Sequence, residues 1–110
     1  MVNEMTVRML CEKLPLTLLS QEEDRAVKCV FCCDLLSVAM ARAPEDSAWV
    51  TVIGNANTVA VAALADVACI VLAEGFSYDN AAISAAKGKI ALLKSEKPVF
   101  ETAVSIGELL

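Results

Sequence analysis

The sequence predicts a single-domain α/β fold, a layered βαβ arrangement in which helices flank a mainly parallel sheet. Three observations predict it. From residue 26 onward, short apolar runs alternate with helical segments, and strands met in that order are joined by right-handed crossovers. The chain is 57% hydrophobic but only 5% aromatic, which is the Ala, Val, Leu and Ile filling of a sheet covered on both faces. Its 110 residues are one domain's length, enough to bury a single core without staples.

The elements follow in order. Residues 6–14 form a first helix, with Val7, Leu10 and Leu14 at helical spacing and Pro15 stopping it. Residues 16–19 are a short apolar strand, and the acidic run 21–24 is a turn. Residues 26–33 lean towards β structure, interrupted by Lys28. Asp34 is then placed to cap a helix that runs to about Ala43, where Pro44 blocks it. Residues 48–53 make a strand that carries Trp49, expected in the core or at the sheet edge. The turn Gly54-Asn55-Ala56-Asn57 follows, with Asn57 expected to cap an Ala/Val-rich helix over 58–65. A buried strand spans 67–73 and ends at Glu74-Gly75. Asp79 caps a helix to about Lys87, residues 90–93 are the next strand, and Pro98 opens a helix to the C-terminus.

In a parallel sheet the strand-to-helix turns share the edge at the strands' carboxyl ends, where open α/β sheets bind ligands. Helix N-termini there offer free N–H groups to an anion or polar ligand. The turns at that edge carry Cys33-Asp34, the 54–57 turn, Glu74-Gly75 and Lys94-Ser95. Each of these residue types is equally at home as a plain cap or turn former.

Catalytic chemistry finds little support. The chain has no histidine, so the commonest general base and the usual partner of a Ser or Cys nucleophile are missing. Phosphate-loop, dinucleotide, nucleophile-elbow and zinc-protease motifs are absent, and Gly54 is one glycine where a dinucleotide loop needs three. The expectation is a protein that is not an enzyme, with no catalytic residues and no cofactor. Cys29-x-x-Cys32-Cys33 superficially resembles a metal or redox motif. On a strand, however, Cys29 and Cys33 face one side and Cys32 the other. A structural zinc site also needs four ligands, so no metal is expected and the thiols read as small apolar side chains.

Charge narrows the partners. The formal charge is −5 and the nine basic residues are scattered, which argues against nucleic acid and against an anionic membrane surface. The most apolar stretch, residues 59–73, is too short to span a bilayer and contains Asp66. Met1-Val2-Asn3-Glu4 lacks the basic start of a signal peptide, so a cytoplasmic location with reduced cysteines is expected. A mean hydropathy of +0.60 in so short a chain favours a homodimer that hides apolar surface.

Asp24-Arg25-Ala26-Val27, followed by Asp34-Leu35-Leu36-Ser37, resembles the D-R-x-V-T-G-G and D-L-L-S segments of the DRTGG domain family. Trp49-Val50-Thr51 and Asn57-Thr58-Val59-Ala60-Val61-Ala62 are similar to that family's W-x-T and N-x-V-A-V-A stretch. Phe100-Glu101 at the head of the last helix is similar too. The likeness runs without gaps from about Thr6 to the C-terminus. It implies a small bacterial α/β domain similar to the N-terminal, non-catalytic domain of HPr kinase/phosphorylase. DRTGG domains also occur beside CBS domains in some inorganic pyrophosphatases and in phosphotransacetylases, which implies a regulatory or assembly role. The chain departs from the family where Lys28-Cys29-Val30 replace T-G-G, and where Ile53, Gly54 and Asn55 stand at Q-T-H positions.

Two functional expectations result. The first is a regulatory module that senses a small molecule or nucleotide through Asp34, Thr51, Gly54, Asn55, Asn57, Gly75 and Ser95. The alternative is a ligand-free module for dimerisation or for binding a protein partner. A redox or metal role for Cys29, Cys32 and Cys33 is a third idea.

Overall fold

The computed structural model describes residues 4–21 and 23–110. Met1 to Asn3 of the N-terminal segment and Glu22 of the acidic turn lie outside them. Helix α1 (Val7–Lys13) precedes strand β1 (Leu16–Ser20). Then β2 (Cys29–Cys32), α2 (Leu36–Arg42), β3 (Ser47–Thr51), α3 (Ala56–Ala65) and β4 (Cys69–Leu72) alternate. Helix α4 (Asn80–Ala86), β5 (Ala91–Ser95) and α5 (Val99–Leu109) complete the chain. The five strands lie in the order β1-β5-β4-β3-β2. The pairs β2·β3, β3·β4 and β4·β5 are parallel, and β1 joins β5 antiparallel. This is the expected layered fold with a mainly parallel sheet.

The chain steps one strand at a time from β2 to β5. Right-handed crossovers in one direction put every connecting helix on the same face. Accordingly Ala39 of α2, Val59 and Ala62 of α3, and Ala82 and Ala86 of α4 share one core with Trp49, Ile70, Leu72 and Leu92. The alternate strand residues Ala48, Val50, Cys69, Val71 and Leu93 face the other way and pack on Val7 and Leu10 of α1 and Ile106 of α5. Strands β3 and β4 are buried throughout, so they read as unbroken apolar runs rather than alternating ones. Trp49 is fully buried, and its indole N–H donates to the Cys33 carbonyl at 2.9 Å.

Several boundaries shift for identifiable reasons. Strand β2 is shorter than 26–33 because Ala26 and Val27 pair with the N-terminal segment instead. Thr6 and Ala26 form an antiparallel bridge, and Val27 N–H donates to the Met5 carbonyl at 2.7 Å. Strand β5 is longer than expected because β1 lies beside it, with Leu16 opposite Ser95 and Thr17 opposite Lys94. Helix α3 begins two residues before Thr58, for Asn55 and not Asn57 is its cap. The Asn55 side chain accepts from Thr58 N–H at 3.0 Å, the N-cap to N3 bond that satisfies an orphan donor.

The amino ends of the strands are tied together by one side chain. The Arg25 guanidinium donates to Asp46 Oδ1 at 2.6 Å, Asp66 Oδ1 at 3.0 Å, the Val67 carbonyl at 3.0 Å and the Asp66 carbonyl at 3.2 Å. Asp46 and Asp66 both hold left-handed backbone, with φ of 62° and 57°, a region that Asp tolerates better than most residues. They end the turns leading into β3 and out of α3, so Arg25 locks two turns against the segment before β2. Its neighbour Asp24 accepts from Arg8 N–H of α1 at 2.9 Å. Among the described residues no helix is long and apolar enough to cross a membrane.

Candidate functional site

Helix α4 leaves the carboxyl end of β4 for one face, while α5 leaves β5 for the other. Neighbouring strands whose connections part in this way open a crevice, and that crevice is the usual ligand site of an open α/β sheet. Here it is sewn shut. Glu74 N–H donates to the Lys97 carbonyl at 2.8 Å and Gly75 N–H to the Ser95 carbonyl at 3.0 Å. Gly75 has φ of 72° and Glu74 has φ of 62°, so the turn crosses over the β5 end in left-handed backbone. Ser95 is buried. Its hydroxyl shares a 2.8 Å hydrogen bond with Thr102 of α5 and accepts from Lys97 N–H at 3.1 Å. The N-terminus of α5 has no cap of its own. Glu74 supplies one, its Oε2 accepting from Val99 N–H at 2.8 Å. A carboxylate of the chain thus sits where a bound anion would complement the helix dipole. Sequence reasoning missed this role because the partners are far apart and share no local motif.

The other expected site residues gather at the ends of β2 and β3. Asp34 does not cap α2, whose first turn starts at Leu35 without a side-chain cap. Its Oδ1 instead accepts from Thr51 Oγ1 at 2.7 Å and from Val52 N–H at 3.0 Å. Asp34 therefore bridges the two strand ends, and the fully buried Thr51 is its partner. Asn55 is spent on capping α3, as described above. Gly54 is placed by close packing: a Cβ there would lie 2.8 Å from Leu72 Cδ2 and 3.1 Å from both the Ser77 carbonyl and Tyr78 Cα. Its carbonyl accepts from Asp79 N–H at 2.9 Å. Asn57 stands exposed on the first turn of α3.

The seven expected residues thus form two groups, Asp34, Thr51, Gly54, Asn55 and Asn57 on one side and Gly75 and Ser95 on the other. Most of their polar atoms already satisfy the fold. Two clefts lie away from both groups. One of about 420 Å³ opens at the amino ends of β4 and β5, beside Arg25, Asp66 and Lys89. Another of about 270 Å³ lies between Met5, Val27 and Leu109.

Among the described residues no three metal-ligating side chains converge. Cys32 is exposed while Cys29 and Cys33 are half-buried, and the Cys33 thiol donates to the Leu35 carbonyl at 3.3 Å. Burial, and then the charge of Asp34, push the Cys32 thiol above its ordinary range, which suppresses the thiolate that nucleophilic or metal chemistry needs.

The two sheet edges are built differently, a feature invisible before the strand order is known. At one edge β1 follows Pro15 and carries a register shift between Leu18 and Ser20, two devices that blunt an edge against further pairing. At the other edge β2 reads Cys-Val-Phe-Cys, with no proline, bulge or charge inside it. Among the described residues no strand pairs beyond it. Leu35 and Val38, 60% and 37% exposed, stand nearby at the start of α2. A scan against protein-family models finds no match for the chain, and no curated protein matches it.

Proposed function

We propose that this chain is a non-catalytic association module of the DRTGG type, working in a bacterial cytoplasm and acting through the open edge of β2. The observation that carries the reading is the contrast between the two edges. One is guarded by proline and a bulge, whereas the other offers unpaired backbone groups flanked by apolar side chains. The consumption of polar groups at the carboxyl edge supports it from the other direction. The Asp24-Arg25 pair, through which the chain resembles the family, acts as a structural clasp and leaves the edge free for a partner.

A small molecule or nucleotide ligand is the second reading. It is favoured by Asn57 and the outer oxygen of Asp34, polar groups that engage in no hydrogen bond among the described residues. Sedimentation velocity over a concentration series, run beside thermal-shift screening with nucleotides and metabolites, separates the two. The association reading expects no compound that raises the melting temperature, and a concentration-dependent larger species where the partner is a second copy. A saturable shift with a monomeric chain would contradict it, because a ligand that binds the folded state must stabilise it.

A further inference from the structure

We propose that the occupant of the β2 edge is a second copy of the chain, paired antiparallel about a two-fold axis with Phe31 opposite Phe31. This rests on the association reading and names its partner. Lys28 N–H donates inward to the Asp46 carbonyl at 2.9 Å. Within β2, however, Ala48 and Val50 are the β3 residues that face it, and Cys33 N–H donates to the Val50 carbonyl at 3.3 Å. The register therefore turns Cys29, Phe31 and Cys33 inward to β3, while Val30 and Cys32 turn their N–H and C=O outward. A two-fold antiparallel ladder centred on Phe31 sets Val30 opposite Cys32 of the other copy twice over, and each such pair exchanges its two outward hydrogen bonds.

Charge selects this register over its neighbours. In an antiparallel pair the two residue numbers sum to a constant, so a centre at Phe31 sets Lys28 opposite Asp34 of the second copy, twice over by symmetry. Centring on Cys29 sets Asp24 against Asp34, a like-charge contact. Centring on Val30 leaves Lys28 opposite Cys32. Lys28 is free to reach across, for its side chain is 66% exposed and its contact with Asp46 Oδ2 is a loose 3.4 Å. Between the charged ends the contact is apolar, with Val30 opposite Cys32 on one face and Cys29 opposite Cys33 beside the phenylalanines on the other. The chain's charge of −5 opposes association of two copies in general, which makes this local complementarity the term that fixes orientation.

Charge reversal tests the register. Lys28→Asp alone and Asp34→Lys alone each set like charges opposite one another, and each is expected to weaken the dimer roughly tenfold or more. Mixed in equal amounts, the two variants place opposite charges at both ends, and sedimentation is expected to show a heterodimer as tight as the original. Asp34 also bridges Thr51 and Val52, so Asp34→Asn, which keeps the accepting oxygen, serves if Asp34→Lys does not fold. It is expected to weaken the dimer less than Lys28→Asp does. In a second arm, a Cys32→Ser/Cys33→Ser chain is mixed with a Cys29→Ser/Cys32→Ser chain and oxidised with diamide. Cys29 and Cys33 of the two copies each give up a proton as the disulfide forms, and diamide takes up the two electrons and two protons. The mixture is expected to cross-link efficiently and the separate variants weakly. A wild-type chain that stays monomeric overturns the self-pairing while leaving a foreign partner open to the association reading. A dimer indifferent to the charge reversals, and without the Cys29–Cys33 cross-link, overturns the register.

Discussion

By pH 11 the folded state is expected to have lost about 3 kcal/mol of stability through Cys69 alone. Cys69 is completely buried in the centre of the sheet, between strands and the α1/α5 layer. Burial pushes its thiol from an ordinary value of 9.0 up to about 12, with the nearby Cys11 thiol adding to the effect and Arg25 working against it. In the unfolded chain the thiol gives up its proton near pH 9, whereas in the folded chain it holds it. Above that pH the unfolded state binds fewer protons, so stability falls as pH rises, until the folded thiol also ionises near 12. Tyr78 acts in the same direction from pH 10 upward. Its hydroxyl is buried against the Leu93 carbonyl at 2.6 Å and the Ile70 carbonyl at 3.2 Å, and burial raises it well above 10.0. A domain of ordinary stability, about 5–15 kcal/mol, then approaches unfolding on the alkaline side. Denaturant titrations at pH 8, 10 and 11 check this against Cys69→Ala. That variant starts less stable, from the lost methylene-sized packing, but is expected to lose about 3 kcal/mol less than the native chain between pH 8 and 11. Parallel pH profiles for the two proteins would contradict the placement of Cys69.

Replacing Arg25 with alanine is expected to destabilise the fold by about 2–3 kcal/mol and lower the melting temperature by about 10–15 °C. The magnitude comes from the half-buried contacts, the 2.6 Å pair with Asp46 and the bonds to the Val67 and Asp66 carbonyls. The Asp66 carboxylate is 61% exposed and contributes little through water-screened attraction. Arg25→Lys is expected to recover less than half of the loss, because one ammonium cannot fork between four acceptors on two turns. The effect has a pH signature. The Arg25 hydrogen bond holds the Asp46 carboxyl below the usual carboxylate range, with Lys28 assisting and burial opposing. A carboxyl depressed by folding stabilises above its unfolded value near pH 4 and loses that contribution as pH falls through the folded one. The gap between native chain and Arg25→Ala is therefore expected to narrow below pH 4. A constant gap in melting temperature down to pH 3 would show that Asp46 is not the principal partner.

What was legible in the sequence follows the range of the interactions involved. The helices and buried strands could be read locally, since Pro15 and Pro44 stop helices and the runs around Val50 and Val71 are apolar without alternation. Asp79 caps α4, its carboxylate accepting from Ala82 N–H at 2.8 Å, as its spacing predicts. Asn55 and Asn57 are locally interchangeable as caps because both precede a helical run, and only the position of Thr58 at the third helical residue separates them. Asp34 looked like a cap for the same local reason, but the Thr51 hydroxyl and Val52 N–H on the next strand compete for its oxygen. Glu74 capping α5, Arg25 clasping Asp46 and Asp66, and Ser95 meeting Thr102 all depend on which strand ends become neighbours. So does the contrast between the guarded β1 edge and the open β2 edge. Strand order decides these, and it has no signature in any short window of sequence.

The most direct measurement is amide hydrogen exchange along β2 as a function of protein concentration. The amides of Val30 and Cys32, which face outward, are expected to exchange more slowly as concentration rises and the edges pair. Phe31, whose amide faces β3, should remain protected throughout and serves as the internal standard. If the Val30 and Cys32 amides exchange at the same rate across the whole concentration range, the edge of β2 does not pair with a second copy.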